Sequence, residues 1–157
     1  MKSAYMAAIM IAGVTLTACL PIFAGSDQIR GHTLTIALSG AAEGPGLGDP
    51  DGSGTAELLI DPARGRFCYL LTVEGIAPAR LAHIHKSPAG QSGGPIVVPL
   101  EAPTDGDSER CVAIDPALAR SLLSNPADYY VNVHNAEHPG GAVRGQLDQG
   151  SPSISPT

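Results

Sequence analysis

Tryptophan is absent, and the 157 residues include only two phenylalanines and four tyrosines. A core built from this chain must therefore be Leu, Ile and Val. The aromatic platforms that a carbohydrate- or matrix-binding surface would use are in short supply. Basic charge is equally sparse: nine Lys and Arg stand against 15 Asp and Glu, a formal net charge of −6. That balance argues against binding nucleic acid, or an anionic membrane, through general electrostatics. Only Arg64, Arg66 and Arg80 fall near one another, too few to form a footprint. No apolar run reaches the roughly 20 residues that a membrane-spanning helix needs. Catalytic signatures are missing too. Ser87 and Ser92 lie near His85 without a G-x-S-x-G elbow. Residues 90–94 lack the G-K-[ST] ending of a phosphate loop. The run Asp49-Pro50-Asp51-Gly52-Ser53-Gly54 lacks the spacing and closing Glu of an EF-hand. Glu43, Asp49 and Asp51 read instead as turn-forming acids of one Gly- and Pro-rich loop, and no residue set reads as catalytic.

What is present begins with an export signal. Lys2 supplies a positive start, residues 4–16 carry no charge, and Pro21-Ile22-Phe23-Ala24 ends on a small residue suited to a signal peptidase. Residues 1–24 are then a cleaved signal peptide, and the protein is secreted or periplasmic. A second reading competes: Leu16-Thr17-Ala18-Cys19 matches a bacterial lipobox, which would make Cys19 a lipidated first residue and anchor the protein to the outer membrane. A membrane is reached only through that lipid. Export makes Cys68 and Cys111 the pair available to the domain, and an even count in an exported chain favours a disulfide. Such a bridge would contribute on the order of 3–4 kcal/mol. Free thiols and metal ligation are the alternatives, the latter disfavoured by the absence of a C-x-x-C partner.

Residues 25–31 read as a polar linker and residues 32–148 as one all-β domain. Leu34, Ile36 and Leu38 alternate with small or hydroxyl residues, the period of a half-buried strand. Residues 40–54 are too dense in Gly, Pro and Asp for regular structure. Further strands fit residues 55–60, 66–73, 79–85, 95–100, 110–114, 129–135 and 142–148. Asp115 as N-cap and Pro116 at the first helical position predict one short helix over residues 117–123. The Ser/Pro-rich residues 149–157 read as a disordered tail. About eight closely spaced strands with one short helix predict a Greek-key-like β-sandwich or flattened barrel.

The histidines are unevenly distributed. His83 and His85, one residue apart in a strand, must project from one face, with Ile84 on the other. In the last hairpin, Asn132 and His134 share a face opposite Val131 and Val133. If the strands adjoin, His83, His85 and His134 converge, and His138 in the turn supplies a fourth nitrogen. Imidazoles so placed suit copper or zinc. The alternatives are a solvated strand face and a buried polar network with Asn132, Asn135 and Arg144. His32 reads as an ordinary strand residue. Arg144, flanked by Gly-Gly-Ala-Val and Gly-Gln, reads as the structural partner of Glu137 or Asp128, or as a fork for a ligand carboxylate.

These residues carry a resemblance. Ala82-His83-Ile84-His85, Gly90 with Gly93-Gly94-Pro95-Ile96-Val97-Val98, and Tyr130 through Leu147 resemble the signature of the CHRD (chordin) domain, and residues 38–41 and 52–54 fit as well. The departure is Ala42-Glu43-Gly44-Pro45, where the family has Gln-Glu-Val-Pro. The resemblance implies a single-domain exported bacterial member: an extracytoplasmic β fold with a non-catalytic binding or cell-envelope role, and an unspecified protein or envelope partner. The H-x-H strand is also similar to the copper strand of Cu/Zn superoxide dismutases, and implies the alternative of a copper- or zinc-binding protein with dismutase-like activity. The zinc-holding set of that family has no counterpart here.

Overall fold

The alternation at residues 34–38 is realised as the central strand of a single large sheet. This computed structural model describes residues 31–149 and 151–154. In chain order the strands are β1 (His32–Ser39), β2 (Ser53–Asp61), β3 (Arg66–Glu74), β4 (Leu81–Lys86), β5 (Ile96–Leu100) and β6 (Asp107–Ala113), then a helix, α1 (Pro116–Ser124), then β7 (Tyr129–His134), β8 (Val143–Gln146) and β9 (Ser151–Ile154). They pair antiparallel in the order β5-β4-β7-β8-β1-β2-β3-β6, with β9 also on β1. The result is a curled half-barrel, the flattened-barrel form of the all-β expectation. The two outermost strands are joined by residues 101–106. There the Ser108 hydroxyl donates to the Glu101 carbonyl at 2.8 Å, drawing the edges together.

Inside the curl, Leu34, Ile36 and Leu38 meet Ala56, Leu58, Ile60, Phe67, Tyr69, Leu71, Ile84, Val131, Val133 and Val143, all buried. Each large aliphatic side chain removed from water there contributes about 1.5–3 kcal/mol. Tyr69 is the polar exception, and its hydroxyl accepts the Glu101 N–H at 2.8 Å. The β2–β3 hairpin is set by Asp61, whose Oδ1 accepts the N–H groups of Ala63 and Arg64 at 3.0 and 3.1 Å. Gly65, at φ +59°, then closes the turn in the left-handed region. Asp115 caps α1 as its sequence predicts, accepting from the Ala117 N–H at 2.6 Å, and the helix buries Ala119 and Leu122. Cys68 and Cys111 face each other across β3 and β6 and form the disulfide.

Several boundaries differ from expectation. β6 begins at Asp107 because polar Asp107 and Ser108 still pair with Thr72 and Leu71 of β3. The stretch after β1 is partly regular: Gly40–Glu43 is a 3-10 turn. The tail is corrected as well, since Ser151–Ile154 pairs with His32–Thr35 of β1. Residues 1–24, expected to be a signal peptide, with Cys19 among them, and residues 25–30 of the expected linker lie outside the described residues. Among the described residues, no helix is long and apolar enough to cross a membrane.

Candidate functional site

Ala82 and Ile84 of β4, Val131 and Val133 of β7 and Val143 of β8 point into the core with no exposed surface. Strand parity then sends His83 and His85, Tyr130, Asn132 and His134, and Arg144 and Gln146 to the outer face. Register makes them neighbours: His83 lies opposite Asn132, His85 opposite Tyr130, Asn132 opposite Arg144 and Tyr130 opposite Gln146. This outer face is not open to water. Tyr130, Asn132, Arg144 and Gln146 are each at most 5% exposed. Gln91 and Ser87 of the β4–β5 loop meet Arg144 and Gln146, and Glu43 of the β1–β2 loop meets Arg144 and Asn132.

Three imidazoles meet at one end of this layer. His83 Nδ1 stands 3.3 Å from His134 Nε2. The ligand-type nitrogens of His83, His85 and His134 all lie within 4.8 Å of one another. Two of the rings are held from behind. His85 Nδ1 is 2.7 Å from the Gly94 carbonyl and His134 Nδ1 is 3.0 Å from the Pro139 carbonyl. A ring nitrogen facing a carbonyl carries the hydrogen, so each of these rings has an unprotonated Nε2, and that of His134 accepts from His83 Nδ1. His85 Nε2 is buried and has no hydrogen-bond partner among the described residues. Burial, reinforced by the neighbouring imidazoles, holds His83 below the usual histidine range. Burial does the same for His134 against the pull of the Pro139 carbonyl. Both rings are therefore neutral at neutral pH, the form that coordinates metal.

A polar spine supports the cluster. The Tyr130 ring stacks on His85 with centroids 4.9 Å apart and planes 8° apart. The Arg144 guanidinium covers the other ring face at 3.5 Å. Its fork donates to the Gln91 carbonyl at 2.8 Å and to Gln146 Oε1 at 3.1 Å. Gln146 in turn donates to the Ser87 and Ala127 carbonyls at 3.1 and 2.7 Å. Arg144 and Gln146 thus clamp the loop whose Gly94 carbonyl orients His85. An acid whose carboxyl feels the charge of Arg144 is Glu43. Glu43 is buried, and burial raises its carboxyl to about 7 against the opposing pull of Arg144 and of a hydrogen bond from Asn132. Gly141 keeps this space: at φ +140°, a Cβ there would collide with the Glu43 carboxylate.

The side-chain faces expected of β4 and β7 are those observed, and His83, His85 and His134 are brought together. His138 is not. Its ring turns away to the Leu47 carbonyl and groups with Asp49 and Glu137. His32 is an exposed residue of β1. Glu43, Tyr130 and Gln146 are additions of the fold. Glu43 reads locally as one more loop acid, and what signal existed lay in the Glu-x-Pro of the motif.

The sequence profile of the CHRD domain matches residues 34–147. The chain belongs to the CHRD family. No curated protein and no solved structure matches it. In this CHRD domain the match takes in β1 through β8 and every outer-face residue named above, so the clamp and the histidines belong to the domain itself and not to its flanks.

Proposed function

We propose that this CHRD protein is an exported, non-enzymatic binding module whose outer-face histidines take up a divalent transition-metal ion, Cu(II) in preference to Zn(II). The observation that carries the reading is the orientation of the rings. Two imidazoles have Nδ1 tied to a backbone carbonyl and Nε2 bare, and a third brings Nδ1 within 3.3 Å of one of them. Two ligands of one ion at bond lengths near 2.0–2.1 Å stand about 3.3–3.4 Å apart in a tetrahedron. In the square plane that Cu(II) favours they stand about 2.8–3.0 Å apart, so the rings of His83 and His134 need close by only a few tenths of an ångström. Carbonyl partners behind the rings are the usual means of fixing tautomer and direction in metal-binding histidines. His83, His85 and His134 would hold the ion, and Cu(II) exceeds Zn(II) in affinity for such nitrogen donors.

Family membership supports the non-enzymatic part. The leader pattern, with either cleavage, and the Cys68–Cys111 disulfide support an oxidising compartment outside the cytoplasm. A second reading, a protein or envelope partner docking on the same face, is favoured by Leu81 and Ile96. They are 56% and 52% exposed and paired with His134 and His85. The test is Cu(II) and Zn(II) titration of the mature protein beside a His83→Ala/His85→Ala variant. Sub-micromolar copper binding that the variant lacks is expected. Equal, weak binding by both proteins overturns the metal reading and leaves the partner.

A further inference from the structure

The turn joining β7 to β8 carries a second set of ligand-type side chains, apart from the three histidines. Asn135 builds it: Oδ1 accepts the N–H of Glu137 at 3.0 Å and of His138 at 2.7 Å. This Asx turn sets the two side chains next to each other. The β1–β2 loop comes to meet them, pinned where the Asp49 N–H donates to the Ala142 carbonyl at 2.8 Å. Ligand-type atoms of Asp49, Glu137 and His138 all lie within 4.8 Å of one another.

Two of the three are fixed from behind, as in the histidine cluster. His138 Nδ1 faces the Leu47 carbonyl at 3.2 Å, so it carries a hydrogen there and the ring turns Nε2 toward Asp49. Asp49 is 8% exposed, and its Oδ1 accepts the Asp51 N–H at 3.2 Å. Its Oδ2 points at His138 Nε2 across 3.7 Å. That gap is too long for a hydrogen bond. It is near the separation of about 3.4 Å that two N and O ligands of one tetrahedral zinc ion adopt.

We propose that Asp49 Oδ2, His138 Nε2 and the Glu137 carboxylate form a second metal site, for Zn(II), that staples the β1–β2 loop to the β7–β8 turn. One imidazole with two carboxylates is a harder donor set than three imidazoles, and two negative charges offset that of the ion. Glu137 is exposed and free to swing in, with water completing the shell. The stapled turn is also the one whose Pro139 carbonyl orients His134.

The experiment is zinc titration of the mature protein with chelator competition, beside His138→Gln/Glu137→Gln and His83→Ala/His85→Ala. The turn variant is expected to bind one zinc equivalent fewer than the parent, or to bind it at least 100-fold more weakly, with its far-ultraviolet circular dichroism unchanged. Zinc is expected to raise the melting temperature of His83→Ala/His85→Ala by several degrees, because the turn site survives there. Stoichiometry and affinity both unaffected by the turn substitutions overturn the proposal, and so does a melting temperature of the histidine variant that ignores zinc. Because that variant lacks the histidine cluster, failure of one site is read separately from failure of the other.

Discussion

Replacing Glu43 with Gln should stabilise the protein at high pH and leave it nearly unchanged at low pH. The carboxyl is raised from 4.5 to about 7 by burial, against the pull of Arg144 and Asn132. The folded protein therefore holds a proton that the unfolded chain has released between those values. By linkage, this group's contribution to stability is greatest below about pH 4.5, falls as pH rises through the interval, and levels off above about pH 7. Across that interval each pH unit costs up to about 1.4 kcal/mol. After discounting for solvent screening at the loop-covered carboxyl, about 1–3 kcal/mol separates parent and variant at pH 8. For a domain of this size that is roughly 3–10 °C in melting temperature. Glutamine is near-isosteric with the protonated acid, so the difference should shrink steadily as pH falls from 8 to 5 and vanish below about pH 4. Calorimetry or circular-dichroism melts of both proteins across pH 5–8 measure the difference directly. Titrations common to both proteins cancel. A difference that stays constant with pH would refute this account, as would a variant less stable than the parent at pH 8. The first result would mean that attraction to Arg144 cancels the effect of burial, and the second that it outweighs it.

Two other substitutions probe what holds the sheet and the clamp. Cys68→Ala/Cys111→Ala, or reduction of the parent, should lower stability by about 3–4 kcal/mol in denaturant melts, since the bridge closes a loop with a sequence separation of 43 residues. A loss under about 1 kcal/mol would show that β3–β6 pairing alone restrains that loop. Arg144→Met keeps an apolar stem over Tyr130 but removes the donors to Gln91 and Gln146. Copper affinity should fall about 10- to 100-fold although no ligand is touched, as for other supporting residues behind metal ligands. Arg144→Lys should not restore it, because an ammonium cannot reproduce the planar fork. Unchanged affinity in Arg144→Met would mean that the β4–β5 loop holds Gly94 in place by itself.

Much of the histidine face was legible in the sequence because it depends only on strand parity. One apolar residue between His83 and His85, and Val131 and Val133 around Asn132, fix which side chains share a face once the segments are strands. The distances within the cluster then follow from β4 pairing with β7, a register that the buried valines and Ile84 enforce. Parity says nothing about turns, and there the expectation failed. His138 lies only four residues from His134, yet the bonds from Asn135 rotate it toward Asp49 instead. Glu43 was invisible for a related reason. Its meeting with Arg144 follows from Ser39 pairing with Arg144, a contact between the two ends of the domain that no local pattern encodes.

The tail shows the same limit in composition. Ser- and Pro-rich residues after position 149 have little to bury, and on their own they would gain nothing by ordering. What they meet is the β8 side of β1. β8 pairs with that side only at Ser39, so His32–Thr35 would otherwise present unpaired backbone groups there. The short 3-10 turn at Leu147–Gln149 carries the chain off β8 and delivers it to the vacant length of edge. Ser151–Ile154 then closes it with backbone bonds that require no particular side chains. An exposed strand edge is a template for any extended segment, including one from another molecule. Composition describes what a segment can bury and carries no information about the bonds a neighbour lacks, and here the neighbour's edge decides the outcome.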